Sequence, residues 1–404
     1  MTATTIMQRK PGRPSRAPAS LPDLYPVEVP RSEPPARTFF GELDHREALY
    51  MGTAHVLVWS WCRREREPTL FDAAEARGLE RDVAEASLPR DLSRALVLLA
   101  RRLGKKRIDP IAVALACVEV GDCAVARGAR QSALPWSEAA AAVVPWNPRF
   151  AWLAGRLHRQ WSHHPQAEYW FHRAVRVAVR IKDRHVETLA RNSIGNLHVL
   201  QGDYATGREH FRHAHRLATR YRLRSLEGEI LHDLAFVSAC MERFADAEKY
   251  GLLALRRYGT SHPNTWKLKH DLALIFSGQR SFERAIAAYE AVLPHFTLPS
   301  ERVRVLASLV RSSGGNADRD RFERYWTEAW KSVQDSTVER ERASTLVDMG
   351  IGAIHLKEWD RAFTALSWAR QCAQAGGECD MLTTAEKALA EVRKHREPMP
   401  VNTV

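Results

Sequence analysis

A phrase of small and large residues recurs along most of this 404-residue chain at intervals of 34 to 40. One copy runs Ile194-Gly195, Tyr204, Gly207, Phe211 and Ala214; the next runs Leu234-Ala235, Phe244, Ala247, Gly251 and Ala254. It returns as Leu272-Ala273, Phe282, Ala285, Tyr289 and Val292, and later as Met349-Gly350, Trp359, Ala362, Leu366 and Ala369. The small residue that closes each copy falls at Ala140, Ala174, Ala214, Ala254, Val292, Ala329 and Ala369, at spacings of 34, 40, 40, 38, 37 and 40. Repetition at this period builds a stacked array in which each unit buries its apolar face on its neighbours. Such an array directs attention to a binding surface rather than to a catalytic pocket.

Within a copy the spacing is helical. Alanine or glycine belongs where two helices cross closely, and residues such as Phe211, Tyr289, Trp326 and Trp359 fill the space beside the crossing. Gly202-Asp203 and Arg280-Ser281 supply turns between paired helices, while Gly314-Gly315-Asn316-Ala317 blurs the turn of its copy. Strand signals are nearly absent. The pattern predicts an all-α fold, a right-handed superhelical solenoid of antiparallel helix pairs.

The phrase resembles the tetratricopeptide repeat, whose units carry a small pair, an aromatic, an alanine, a second aromatic and a late proline. Pro145 takes that late position in the copy that starts near Ala114. The resemblance covers residues 114–376, about seven copies, and is most specific over 148–299 and 343–376. Units longer than 34 residues are also similar to the arrays of bacterial signal-response regulators, although no helix-turn-helix is visible between 39 and 108. Around this array the expected organisation is a basic Pro-rich tail over 1–38, an N-terminal helical region over 39–113, and a capping helix with a short tail over 377–404. The tail holds eight of the 20 prolines, too little apolar surface to offset its ordering entropy. Helices are expected near 43–62, 69–84 and 88–103, the last with Leu92, Leu96, Leu99 and Leu103 on one face.

The formal charge is +12, and between Pro148 and Arg224 there are 15 Lys/Arg against 5 Asp/Glu, with nine of the 17 histidines. Such an excess favours an anionic partner. The resemblance implies that the first helix of each unit lines a concave groove. Carried onto this sequence, the groove positions are Arg149, Trp152, Arg156 and Arg159, then Asn192 and Asn196, then His232 and Phe236, then Lys267 and His270. Asparagine amides can pair with an extended backbone, and arginine can grip a carboxylate with two parallel hydrogen bonds. The expected function is therefore a non-catalytic protein or peptide interaction module, an adaptor or regulatory sensor, that holds an acidic segment. The carboxylate clamp of chaperone-binding relatives is not matched: Trp152 and Arg156 stand at its first Lys and Asn positions, and Asp233 and Asp271 at later ones.

The alternative is a nucleic-acid-associated regulator that uses the basic 148–224 surface and the tail. In the tail, Arg9, Lys10, Arg13 and Arg16 surround a Gly-Arg-Pro core that resembles the AT-hook. His163-His164 and the run from His210 to His215 are dense in imidazole but lack the convergent carboxylates and thiols of a metal centre. No phosphate-binding loop, dinucleotide fingerprint or nucleophile elbow occurs, so no enzyme and no cofactor is expected. The six scattered cysteines suit a reducing compartment, and the most apolar run, Ala48 to Trp61, is too short to span a bilayer. The expected location is the cytoplasm.

Overall fold

A computed structural model describes residues 41–64, 67–259, 262–335, 338 and 341–396. The basic tail with Arg9, Lys10, Arg13 and Arg16 lies outside the described residues. Helix occupies 83% of the described residues and none of them forms a strand, so the chain is all-α. Contacts divide it into two compact units, Met1–Tyr221 and Arg222–Val404. The division falls between two successive repeats, inside the stretch expected as one array.

In the first unit, α1 (His45–Arg63), α2 (Ala73–Glu85) and α3 (Arg90–Leu103) precede the regular pairs. Those pairs are α4 (Pro110–Ala126) with α5 (Arg130–Val143), α6 (Pro148–Gln160) with α7 (His164–Ile181), and α8 (Arg184–Leu200) with α9 (Tyr204–Arg220). The second unit pairs α10 (Arg224–Cys240) with α11 (Phe244–Tyr258), α12 (Thr265–Gly278) with α13 (Phe282–Val292), and α14 (Pro299–Gly315) with α15 (Arg319–Val333). It continues with α16 (Arg342–His355) and α17 (Trp359–Gly376), and α18 (Cys379–Arg396) covers the last pair. Each unit has its own apolar core, one from Met51 to Leu197 and the other from Leu231 to Val392.

The helix starts are written locally. Asp44, Asp72, Asp109, Asn147, Asp183, Asp203 and Asp318 each accept a hydrogen bond from a first-turn amide. That satisfies donors which have no partner inside the helix. The turns within pairs share one geometry. Ser162, Gly202, Glu242, Arg280, Ala317 and Lys357 all take a left-handed backbone, with φ between 56° and 81°. The following amide then donates five residues back, from His163 to His158, Asp203 to His198, Arg243 to Ser238, Ser281 to Phe276, Asp318 to Ser313 and Glu358 to Ala353, at 2.8–3.0 Å. This closes the helix C-terminus. Only one of the six is glycine, so turn chemistry was poorly visible in the sequence.

Helix crossing explains the small residues. A Cβ added at Gly155 would sit 2.6 Å from the Phe171 ring, and one at Gly195 would sit 2.6 Å from the Phe211 ring and 3.1 Å from the Gly207 carbonyl. The small residue and the ring are 16 positions apart in both pairs. In the α10–α11 pair the second position is itself small, Gly251, and Leu272 from α12 reaches in to 2.6 Å from where its Cβ would be. The glycines at 314 and 315 are not a turn. They lie inside α14, where a Cβ at Gly314 would collide with the Gly352 carbonyl of α16; the turn comes later, at Ala317.

At the N-terminal end, Arg127 gathers α1 and α3 onto the end of α4. Its guanidinium meets Glu47 at 3.0 Å and Asp91 at 2.6 Å and donates to the Cys123 carbonyl. His55 of α1 accepts from Trp59 Nε1 at 2.9 Å and stands edge-on to Trp136 of α5. Burial lowers its pKa to about 4, so it is neutral in the fold. None of the six cysteines forms a disulfide, and Cys117 and Cys123 are buried in the core of the first unit. No helix among the described residues is long and apolar enough to cross a membrane.

Gly195→Ala should destabilise the protein by about 1–3 kcal/mol, because neither ring nor backbone can yield freely. Gly78→Ala in α2, where nothing lies within 4 Å of the new methyl, should instead gain up to about 1 kcal/mol of helix propensity. Chemical denaturation of the two variants beside the parent checks both signs.

Candidate peptide-binding surfaces

The first helices of the pairs carry the candidate groove residues, and each unit places its own set. In the first unit, Trp152 on α6 is buried, and its indole N–H donates to Ser193 Oγ of α8 at 2.9 Å. The tryptophan therefore ties two pairs together, and an apolar anchor for a ligand is not what its ring offers. The Arg156 guanidinium lies 5.4 Å from the Trp152 ring centroid. Burial, with Arg159 one turn on, lowers the Arg156 pKa below its ordinary value, opposed by Asp122 of α4. Arg149 and Arg156 each bury an Nε–H that no group among the described residues accepts. Asn192 on α8 is buried while Asn196 is half-exposed. The arrangement is a cationic strip on α6 whose charges have few acids beside them.

In the second unit the four candidates divide. Phe236 is 47% exposed and Lys267 is also exposed, so both face solvent from α10 and α12. His232 is buried and committed. Its Nε2 meets Asp271 Oδ2 at 2.7 Å and its Nδ1 meets the Tyr258 hydroxyl at 3.3 Å. His270 Nδ1 meets the other carboxylate oxygen, Oδ1, at 3.3 Å. One assignment satisfies all three contacts with neutral rings: Tyr258 O–H donates to His232 Nδ1, and His232 Nε2–H and His270 Nδ1–H donate to Asp271. Burial alone would raise the Asp271 carboxyl, but these two donors bring it down to about 2. The chain Asp271–His232–Tyr258 has the order of an acid–base relay, yet burial pushes the tyrosine pKa up, away from nucleophilic use. Its role is to join α10, α11 and α12.

Asp271 was legible only as a departure from the chaperone clamp. Its distance from His232, 39 residues or about one repeat, was the usable signal, since equivalent positions of successive first helices adjoin in a stacked array.

The second helices differ between units. In the second unit an ion-pair ladder runs along them: Glu248–Arg284 at 2.7 Å, Glu283–Arg321 at 3.2 Å, Glu290–Arg324 at 3.1 Å and Glu323–Arg361 at 2.6 Å. On α9 of the first unit, Arg212 and Arg216 have no acid within salt-bridge distance among the described residues. His210 and His213 stand beside them. No group of three or more potential ligands among the described residues is placed to hold a metal ion.

Comparison with solved structures finds the same architecture. A signal-transduction ATPase with numerous domains, carrying a tetratricopeptide repeat sensor, from Pyrococcus horikoshii superimposes with a TM-score of 0.55 at 12% identity, covering 85% of this chain and 55% of its own. Aspartyl phosphate phosphatase F from Bacillus subtilis matches with a TM-score of 0.50 at 10% identity, covering 80% of this chain and 94% of its own. The chain has the tetratricopeptide-repeat fold. No protein-family model and no curated protein sequence matches it. At these identities the likeness concerns the fold alone. In this tetratricopeptide array, the sequence positions that the resemblance assigned to a groove are partly spent on holding first helices to one another.

The Asp271 network has a pH signature. The folded carboxyl titrates near 2 and an unperturbed one near 3.8, so its stabilisation is complete above about pH 4 and is lost as pH falls through 2. Asp271→Asn should remove that part of the acid dependence. Asp271→Ala, which strands two imidazole donors, should cost about 3 kcal/mol near neutrality. Denaturation curves for the parent and both variants between pH 2 and 7 test this; parallel curves for the parent and Asp271→Asn would exclude it.

Proposed function

We propose that this protein is a non-catalytic interaction module whose first unit holds an extended acidic segment of a protein partner against α6 and α8. The single supporting observation is Arg156. A guanidinium largely withdrawn from water, beside a second arginine and with a buried Nε–H lacking an acceptor, is costly to maintain in the free protein. A carboxylate placed there would accept that hydrogen bond and offset the repulsion from Arg159. Arg149 offers a second unsatisfied Nε–H one helical stretch earlier, so an extended chain with acids at intervals suits the strip better than a compact anion.

Trp152 keeps the geometry. Held by Ser193 and fully packed, it supports the Arg156 stem and fixes the guanidinium plane beneath the ligand. A rigid receiving surface also reduces the ordering cost of capture. Adaptor or sensor roles both follow from such capture. A cytoplasmic setting is consistent with six cysteines that form no disulfide.

Arg156→Glu combined with Arg159→Glu should weaken binding of a fluorescently labelled Glu-rich peptide by at least about tenfold, as charge-assisted hydrogen bonds are lost and repulsion replaces them. Arg159→Glu alone, at a half-exposed position, guards against a folding defect and should weaken binding in the same direction. Lys267→Glu in the second unit should leave affinity unchanged. Equal anisotropy titrations for the parent and the double variant would exclude the α6 surface.

A further inference from the structure

The histidine-rich run of α9 is absorbed neither by the peptide surface nor by a metal site. Its neighbours explain what it can bind. The His198 ring of α8 stacks on His210 of α9, with centroids 5.4 Å apart and planes 11° from parallel. Stacked imidazoles cannot both be charged cheaply. Burial lowers the His210 pKa, and His198, His172 of α7, Arg191 of α8 and His213 lower it further. Burial also lowers the His213 pKa, with Arg191 and Arg216 adding to the effect and Glu187 opposing it. The acids facing the cluster are few and mostly engaged. Glu187 is divided between Arg184 and Arg191, Asp203 lies 3.6 Å from His198, and Glu168 lies 3.8 Å from His172. Glu209 is the acid on the α9 face itself.

That face carries an open surface depression of about 390 Å³ lined by Glu209, His210, Arg212, His213 and Arg216, a stripe at helical spacing along α9. In the second unit, Arg284 of α13, Arg321 and Arg324 of α15 and Arg361 of α17 are each met by a glutamate of the ladder. Arg212 and Arg216 have no such acid among the described residues. A small site with two guanidiniums that form no ion pair among the described residues and two imidazoles, against the single carboxylate of Glu209, matches an oxyanion of double charge better than a single carboxylate. Its arginines would supply paired N–H donors, and its histidines would donate once protonated.

We propose that the α9 depression formed around His210, His213, Arg212 and Arg216 binds a phosphoryl group in its dianionic form. The group is either free phosphate or a phosphorylated side chain of a protein partner. This site is distinct from the α6 surface and does not depend on it.

The electrostatics set the pH dependence. Binding a dianion favours protonated His210 and His213, whose pKa values in the free protein lie below the ordinary 6.5. Binding therefore takes up protons, and affinity rises as pH falls from about 8 towards 6. Phosphate monoesters lose their second charge near pH 6, which caps the rise; sulfate stays dianionic and should keep tightening below that point.

The test is titration calorimetry of the full chain with inorganic phosphate, sulfate, a phosphoserine peptide and its unphosphorylated twin, at about pH 6 and pH 8. Expected is sulfate binding about tenfold tighter at the lower pH, a smaller change for phosphate because it loses its second charge over the same range, and at least a tenfold loss of both in His210→Gln/His213→Gln. Arg216→Gln at an exposed position should produce the same loss if the histidine pair proves too disruptive to fold. Preference for the phosphorylated peptide over free phosphate identifies a protein source for the group, and the reverse identifies the free anion. Sulfate binding that is independent of pH, binding that is equal for both peptides and absent for phosphate, or binding unaltered in the variants, overturns the proposal. So does retention of a short DNA duplex with no response to phosphate, which would point to backbone binding over a wider basic face.

Discussion

Everything in this molecule depends on how closely two paired helices can approach. The approach is set by one small residue on the first helix and one large residue 16 positions later on the second. Gly155 with Phe171 and Gly195 with Phe211 show the arrangement in its plainest form: the ring lies where a Cβ would otherwise be. Close approach places the crossing in the middle of each pair and leaves both ends free for turns. A left-handed residue then closes the first helix by the same hydrogen bond in six successive pairs, whatever side chain it carries. The packing dictates the turn strongly enough that Ser162, Glu242, Arg280, Ala317 and Lys357 accept a conformation costing non-glycine residues about 1–2 kcal/mol. The α10–α11 pair shows that the rule concerns filled volume and not residue type. Where Gly251 stands in place of a large residue, Leu272 of the next first helix occupies the gap.

Regular stacking brings equivalent positions of neighbouring pairs side by side, and this converts sequence periodicity into electrostatics. In the second unit, glutamates and arginines on successive second helices fall opposite one another and form a ladder. Exposed ion pairs contribute little individually to stability. Their consequence is that the face carries no strong field. The first unit has the same architecture with arginine and histidine where acids would complete a ladder. Its α9 face and its α6 strip consequently carry an excess of positive charge that favours an external anion.

The repeat itself was plain in the sequence, because its small and large residues are fixed by close packing and recur at a readable period. The expected helices near 43–62, 69–84 and 88–103 correspond to α1, α2 and α3. What the sequence obscured was decided by tertiary context. Gly314 and Gly315 read as a broken turn, since consecutive glycines favour one; in the fold they are helical, and a Cβ would collide with the Gly352 carbonyl at Gly314 and with the Phe282 ring at Gly315. Trp152, His232 and Asn192 sit at groove positions by register, yet all three are buried. Register assigns a helix face, but it does not reveal whether a neighbour already covers that face. Trp152 is covered because Ser193 lies 41 residues on, and His232 because Asp271 lies 39 on.

The histidines show how far surroundings, and not residue identity, determine what a side chain does. His55 is neutral because it is buried against tryptophan and accepts that residue's N–H. His232 and His270 are fixed by one carboxylate that they share, and this commits them to structure. His210 and His213 are partly buried, and burial together with cations on three helices lowers their pKa values, with Glu187 opposing at His213. Of these environments it is the one that an external anion would relieve most. The uneven charge of the sequence therefore becomes informative once it is divided by environment. The field that matters arises on α6 and α9, where guanidinium and imidazole groups outnumber the carboxylates beside them.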